Sequence, residues 1–246
     1  MNKNLIIMKN KITLLSFFLA FTSFVAFSQK TVNARDIIKD IKAGKTVSIS
    51  NATIVGNLDF TDMEEKLKDL PKRKRRWWSK GGSNTVKNQI KTKISFVNCV
   101  FKDHVLAYIP DGDYSRYTFT ANFEDDAIFK NCTFERKAMF KYSIFERTAS
   151  FENAKFQDET TFKYAKFHNY ISFANSTFDE SATFKYSKFK DGVSFKNVNF
   201  EEDLNIKYTQ VKGKFSISGM KVGYDIDSKY TKINGRSFSK YLLDNQ

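Results

Sequence analysis

The chain is poor in the residues on which most familiar chemistry is built. Its 246 residues include only two cysteines, two histidines, two prolines and two tryptophans. Two cysteines exclude a disulfide-dense scaffold. Neither His104 nor His168 has a cysteine or carboxylate at metal-ligand spacing, which excludes the common zinc motifs. There is no Gly-rich phosphate loop, no nucleophile elbow, and no carboxylate pair distinguishable from the background of surface acids. The sequence therefore offers no catalytic residue, implies no cofactor and provides no metal site. The longest apolar run, Ile12 to Phe27, is 16 residues, short of the roughly 20 that span a bilayer.

What is abundant is phenylalanine, with 26 copies. From Phe140 the rings recur at Phe145, Phe151, Phe156, Phe162, Phe167, Phe173, Phe178, Phe184, Phe189, Phe195 and Phe200, in steps of five then six, and Ile206 and Val211 continue the row. A slower beat of 22 overlies it in Tyr142, Tyr164, Tyr186, Tyr208 and Tyr230, each preceded by Lys, and in Asn131, Asn153, Asn175 and Asn197. The two halves of each unit differ chemically, so the physical repeat is 22 residues.

An 11-residue period also fits a right-handed coiled coil. On a helix, however, positions 0 and 5 lie about 140° apart and make no seam, and the i+3 and i+4 apolar partners are missing. Short extended segments joined by corners fit better. Four sides close one 22-residue coil with Phe pointing inward, and successive coils stack about 4.8 Å apart. No coil buries its inner face alone, so stability comes from stacking on neighbours.

The runs Phe151 to Phe156 (FENAKF), Phe129 to Phe134 (FKNCTF) and Phe178 to Phe184 (FDESATF) resemble pentapeptide-repeat proteins. The resemblance implies an all-β fold, a right-handed quadrilateral parallel β-helix. In it, a central Phe or Leu and a small residue two places earlier both point inward. Ala127, Cys132, Ala138, Ser143, Ala149, Ala154, Thr160, Ala165 and Ala182 hold the small position, whereas Ile171 and Val193 depart from it. Every second step carries an extra residue, which is expected to bulge.

Residues 1–28 read as an export signal. Lys9 and Lys11 precede the apolar run, and Ala26-Phe27-Ser28 supplies a small-residue cleavage site. Met8 heads a more typical signal than Met1. Residues 29–46 are expected to form an N-terminal cap, with Ile37, Ile38 and Ile41 on one helical face, Asn33 as N-cap and Gly44 just past the end. The β-helix, about seven coils, is expected over 47–236, with inserts at 63–93 and 104–117 that contain both prolines and both tryptophans. Residues 237–246 form a C-terminal cap, with Phe238, Tyr241 and Leu242 at helical spacing.

The net charge is +14, but it is concentrated. Residues 66–93 hold 11 Lys or Arg against one acid, Asp69, hence +10. The candidate contact site is Lys72, Arg73, Lys74, Arg75, Arg76, Trp77 and Trp78. Charge runs are commonly solvated loops. The sharper reading is contact with an anionic surface, with Trp seated at headgroup level. The compatible partner classes are an envelope protein, anionic lipid headgroups or an acidic glycan; export disfavours nucleic acid. The leading functional expectation is an exported, non-catalytic structural or interaction module of the bacterial envelope. The alternatives are an exported enzyme acting on polysaccharide along the side of the rod, and a DNA-mimicking topoisomerase inhibitor of the kind the resemblance implies, which a near-neutral rod opposes. Five copies of the Lys-Tyr pair argue against a catalytic role and for a stacked surface stripe.

Cys99 and Cys132 occupy the same small inward position once the second insert is discounted, and are expected to stack one coil apart. A disulfide between them would be strained, because side chains in register on parallel strands point the same way. Two buried thiols are the expected state, with the disulfide as the alternative that an oxidising compartment permits.

Overall fold

The computed structural model describes residues 29–70, 84–110 and 117–244. Residues from Thr31 onward make one compact unit. Four sheets run its length, of seven, eight, seven and nine strands in sequential order; the coils pair in parallel, and in the last sheet Tyr108–Ile109 and Arg236–Ser237 join antiparallel. The faces start at Val47–Ser50, Ala52–Val55, Leu58–Asp59 and Thr85–Ile90, and are called the first to fourth faces in that order. Register advances by one 22-residue unit per coil: Phe134 pairs with Phe156, Phe156 with Phe178, and Phe178 with Phe200. Seven coils at the sheet spacing give a rod about 30 Å long.

The core consists of four columns of aromatic rings. On the third face Phe140, Phe162 and Phe184 stack at 5.1 Å, and on the second Phe134, Phe156 and Phe178 stack at 4.7 and 4.5 Å. Rings from the opposed first and third faces meet edge to face across the core, as Phe151 and Phe162 do at 5.2 Å, the arrangement that the ring quadrupole favours. The small residues, together with Ile171 and Val193, are buried between columns. Several are hydroxyls that satisfy themselves on the neighbouring coil: Ser176 donates to the Phe151 carbonyl at 2.6 Å, and Ser187 and Thr209 to those of Phe162 and Phe184 at 2.7 Å. Ser143 lacks this partner. The matching carbonyl, that of Ala107, accepts only the corner N–H, that of Ala121, which in the other coils is present together with the hydroxyl.

The alternation of five and six has a local cause. Five-residue steps cross a tight corner, where Ala154 N donates to the Phe151 carbonyl and Ala165 N to that of Phe162. The third residue of each such turn has positive φ, as a type II turn requires. That residue is Asn51, Asn98, Asn131, Asn153, Asn175 or Asn197 between the first two faces, and Tyr142, Tyr164, Tyr186, Tyr208 or Tyr230 between the last two. The extra residue of each six-residue step lies at the other two corners. The strands pair without interruption, so the expected bulge is absent from the described coils.

Helix α1 (Ala34–Lys42) covers the first coil. Asn33 accepts from the Arg35 N–H at 2.9 Å, Ile37 and Ile41 are buried, and Gly44 follows with φ 74°. Helix α2 (Met63–Asp69) opens the first interruption and buries no residue. Helix α3 (Phe238–Asp244) closes the far end by burying Phe238, and the Tyr241 hydroxyl donates to the Phe215 carbonyl at 2.9 Å.

Both interruptions are displaced from their expected bounds. Thr85–Ile90 is the first coil's fourth face, paired residue for residue with Thr118–Phe123. Val105–Leu106 is the second coil's third face, paired with Ala138–Met139. These two six-residue strands are the longest in the rod, and they bury Phe119, a ring that the repeat pattern leaves out.

Candidate functional site

The basic cluster Lys72, Arg73, Lys74, Arg75, Arg76, Trp77 and Trp78 lies outside the described residues. At its edge, Lys66 reaches back to the rod, its Nζ donating to Asn88 Oδ1 at 2.8 Å and to the Lys87 carbonyl at 3.2 Å.

Cys99 and Cys132 stack, since Val100 and Thr133 pair in register and Thr133 N donates to the Cys99 carbonyl at 2.9 Å. Both are buried and unbonded. Their sulfurs approach carbonyls, Val97 at 3.4 Å and Lys130 at 3.3 Å. Hydrogen bonding to Cys99 and then burial push the Cys132 thiol up. A protonated, enclosed thiol is a packing residue and a poor nucleophile.

Two regular stripes mark the tight corners. Along the first, each Asn donates its amide to the preceding one: Asn98 to Asn51 at 3.0 Å, Asn131 to Asn98 and Asn153 to Asn131 at 2.7 Å, Asn175 to Asn153 at 3.0 Å and Asn197 to Asn175 at 3.1 Å. Asn is one of the few residues that tolerate left-handed backbone, and the stacked amides add a hydrogen bond per coil. The stripe stops at Gly219, where a Cβ would lie 2.2 Å from Asn197 Oδ1.

Along the second, Tyr142, Tyr164, Tyr186, Tyr208 and Tyr230 stack at 4.7–4.9 Å with interplanar angles of 2–21°. Tyrosine is a poor choice for positive φ, which costs a bulky residue about 1–2 kcal/mol. Each stacked neighbour contributes about 0.5–1.5 kcal/mol, enough to hold the corner. Lys141, Lys163, Lys185 and Lys229 lie 5.1–5.4 Å from the centroids of their own rings. The stripe is the stacked surface feature expected from its repetition.

His168 Nδ1 pairs with Glu146 at an open corner. Among the described residues no group of three or more His, Cys, Asp or Glu is placed to hold a metal, and no helix is long and apolar enough to cross a membrane.

Four short parallel faces, Phe columns within and tight corners between define a right-handed parallel β-helix, a structural repeat module. The family model described as pentapeptide repeats matches residues 119–166 and 162–210, with nine copies. Over residues 119–210 the chain is similar to pentapeptide-repeat proteins. Comparison with curated proteins and with solved structures returns no significant match.

Proposed function

We infer that the protein is an exported, non-catalytic interaction module of the bacterial envelope that contacts an anionic surface through Lys72–Trp78. The observation that carries this reading is the segregation of charge: +10 of the formal +14 lies in residues 66–93. Such a density, beside paired Trp, matches the headgroup region of a membrane containing acidic lipid. The Lys9 to Ser28 segment supports export. The rod supports a scaffold role, because its repeat runs from Thr118 to Ile233 without a coil that differs by a polar cluster of its own.

The test is co-sedimentation with vesicles containing phosphatidylglycerol, beside phosphatidylcholine vesicles. Binding to the acidic vesicles alone is expected, with release as salt rises and the Debye length shrinks below about 8 Å. The combined Arg73→Ser, Arg75→Ser and Arg76→Ser variant should lose binding and keep its melting temperature. Equal binding by that variant would refute the assignment.

A further inference from the structure

The tyrosine stripe does more than close a corner. It forms one wall of a groove of about 730 Å³ whose floor is the outward side of the fourth face. Ile144, Lys166, Lys188 and Gln210 stand on that floor, and Thr120, on one of the two long strands, lines it toward the N-terminal end of the rod. The ring spacings place Tyr142 and Tyr230 about 19 Å apart.

The charge of this groove sets it apart. On the other faces four lysines pair with acids of the next coil, Lys102 with Glu135 at 2.5 Å, Lys130 with Glu152 and Lys137 with Glu159 at 2.8 Å, and Lys155 with Asp179 at 3.2 Å, although among the described residues Lys190, Lys196 and Lys221 do not. Around the groove this pattern fails. Among the described residues, Lys163, Lys185, Lys229, Lys166 and Lys188 have no carboxylate partner, and Lys207 alone on the tyrosine corner reaches one, Asp227 at 3.6 Å. Lys166 and Lys188 stand directly in register, a like-charge pairing that ordinarily destabilises a sheet. Burial, followed by the charges of Lys141 and Lys185, lowers the Lys163 pKa, which records the same uncompensated positive field. What marks this strip is that its lysines lie together along one groove with no carboxylate among the lining residues, which leaves it open to an anion.

The geometry also narrows the anion. The tyrosine faces are occupied by one another, so no base can stack on the inner rings as single-stranded nucleic acid requires. What the stripe offers outward is ring edges, phenolic hydroxyls and ammonium groups, repeated once per coil. An extended peptide presents same-side groups about every 6.7 Å, and phosphates along a DNA strand recur about every 3.4 Å. Both drift out of register with the coils within a few steps. A linear polysaccharide of 1,4-linked pyranose rings advances per sugar by about the coil rise and carries a carboxylate on every sugar, successive ones turned to different sides of the chain. The lysines here likewise stand on two sides of the groove, Lys163 and Lys185 on the tyrosine corner and Lys166 and Lys188 on the floor.

We propose that the groove between the tyrosine stripe and the fourth face binds an acidic polysaccharide lying along the rod axis, with Lys163, Lys185, Lys166 and Lys188 meeting its carboxylates and the tyrosine hydroxyls its ring oxygens. This surface is separate from Lys72–Trp78 and stands or falls independently of it.

The test is titration of the full chain with a short oligomer of 1,4-linked galacturonic acid, with its methyl-esterified form as the neutral control. The acidic oligomer should bind and the ester should not. The Lys163→Gln, Lys185→Gln double variant should bind about five- to thirty-fold more weakly, equivalent to about 1–2 kcal/mol at tenfold per 1.4 kcal/mol. Tyr164→Phe with Tyr186→Phe, which preserves stacking, should also weaken binding at unchanged melting temperature. Lys155→Gln on the second face should have no effect, and neither should the triple arginine variant of the basic segment. No binding, equal binding of the ester, or an undiminished affinity in the lysine double variant would overturn the proposal. Tighter binding of an oligoglutamate or a single-stranded oligonucleotide than of the glycan would overturn the assignment of ligand class.

Discussion

Removing one ring from the middle of the rod separates the role of the interior from that of the stripe. Phe162 is fully buried. It lies 5.1 Å from both Phe140 and Phe184 in its own column and meets Phe151 and Phe173 edge to face at 5.2 and 5.1 Å. Phe162→Ala removes contacts to six rings in three coils, Phe156 and Phe167 included, and leaves a cavity that parallel backbone pairing keeps from collapsing. The expected cost is about 3–5 kcal/mol. Tyr164, two residues on, also has two stacked neighbours, at 4.9 and 4.7 Å, but its ring lies outside the core and no cavity forms when it is cut. Tyr164→Ala should cost about 1–3 kcal/mol, two stacking contacts of about 0.5–1.5 kcal/mol each. Urea unfolding followed by far-UV circular dichroism measures both. In a solenoid each coil is coupled only to its neighbours, so the Phe162→Ala curve should also broaden or split as the coils on either side of the lesion uncouple. Equal losses at the two positions would refute the assignment of inside and outside.

Four further outcomes follow from particular contacts. Ser187→Ala removes a buried bond to the Phe162 carbonyl and should cost about 1 kcal/mol, whereas Ser143→Ala, at the unpartnered equivalent, should be neutral or stabilising by thermal melt. Asn153→Val forces a β-branched residue into φ 55° and breaks the amide stripe, so it should lower stability by at least about 1–2 kcal/mol; Asn153→Gly should cost distinctly less. Glu152 has its carboxyl held below the ordinary 4.5 by its hydrogen bond to Lys130. The stability it contributes is present above that value and is lost as pH falls through its lower folded pKa, so Glu152→Gln should flatten the acid limb of stability against pH. A thiol reagent should find Cys99 and Cys132 unreactive in the folded protein and count two thiols after unfolding; a count of zero without reductant would show a disulfide.

The interior was legible because its signal is repeated. Each coil presents the same ring and the same small residue at fixed spacing, so periodicity identifies the core without reference to the rest of the chain. The end caps were legible for another reason: Asn33, Gly44 and the isoleucines between them are ordinary helix boundary signals. The corners were only half legible. Asn at positive φ is a familiar occupant, but Tyr142 and its counterparts are not, and stacking between coils, which no local propensity records, holds them there. The first interruption hid the strand Thr85–Ile90, whose mixture of polar and apolar residues carries no Phe. It becomes recognisable only when laid against Thr118–Phe123. That pairing also buries Phe119 and lines the N-terminal end of the tyrosine groove. The groove was invisible in sequence because it depends on which lysines lack an acid one coil away. That property belongs to the stacked register and not to any single repeat.

Lysine acylation of the full chain, read residue by residue by mass spectrometry with and without the acidic oligosaccharide, asks most directly whether the outer face of the tyrosine corner is a binding surface. The account predicts that Lys163, Lys166, Lys185 and Lys188 lose reactivity together on adding the oligomer, while Lys130, Lys137 and Lys155, already paired with acids of the next coil, do not change. Protection confined to Lys72, Lys74 and Lys80, or spread evenly over the rod, would contradict it.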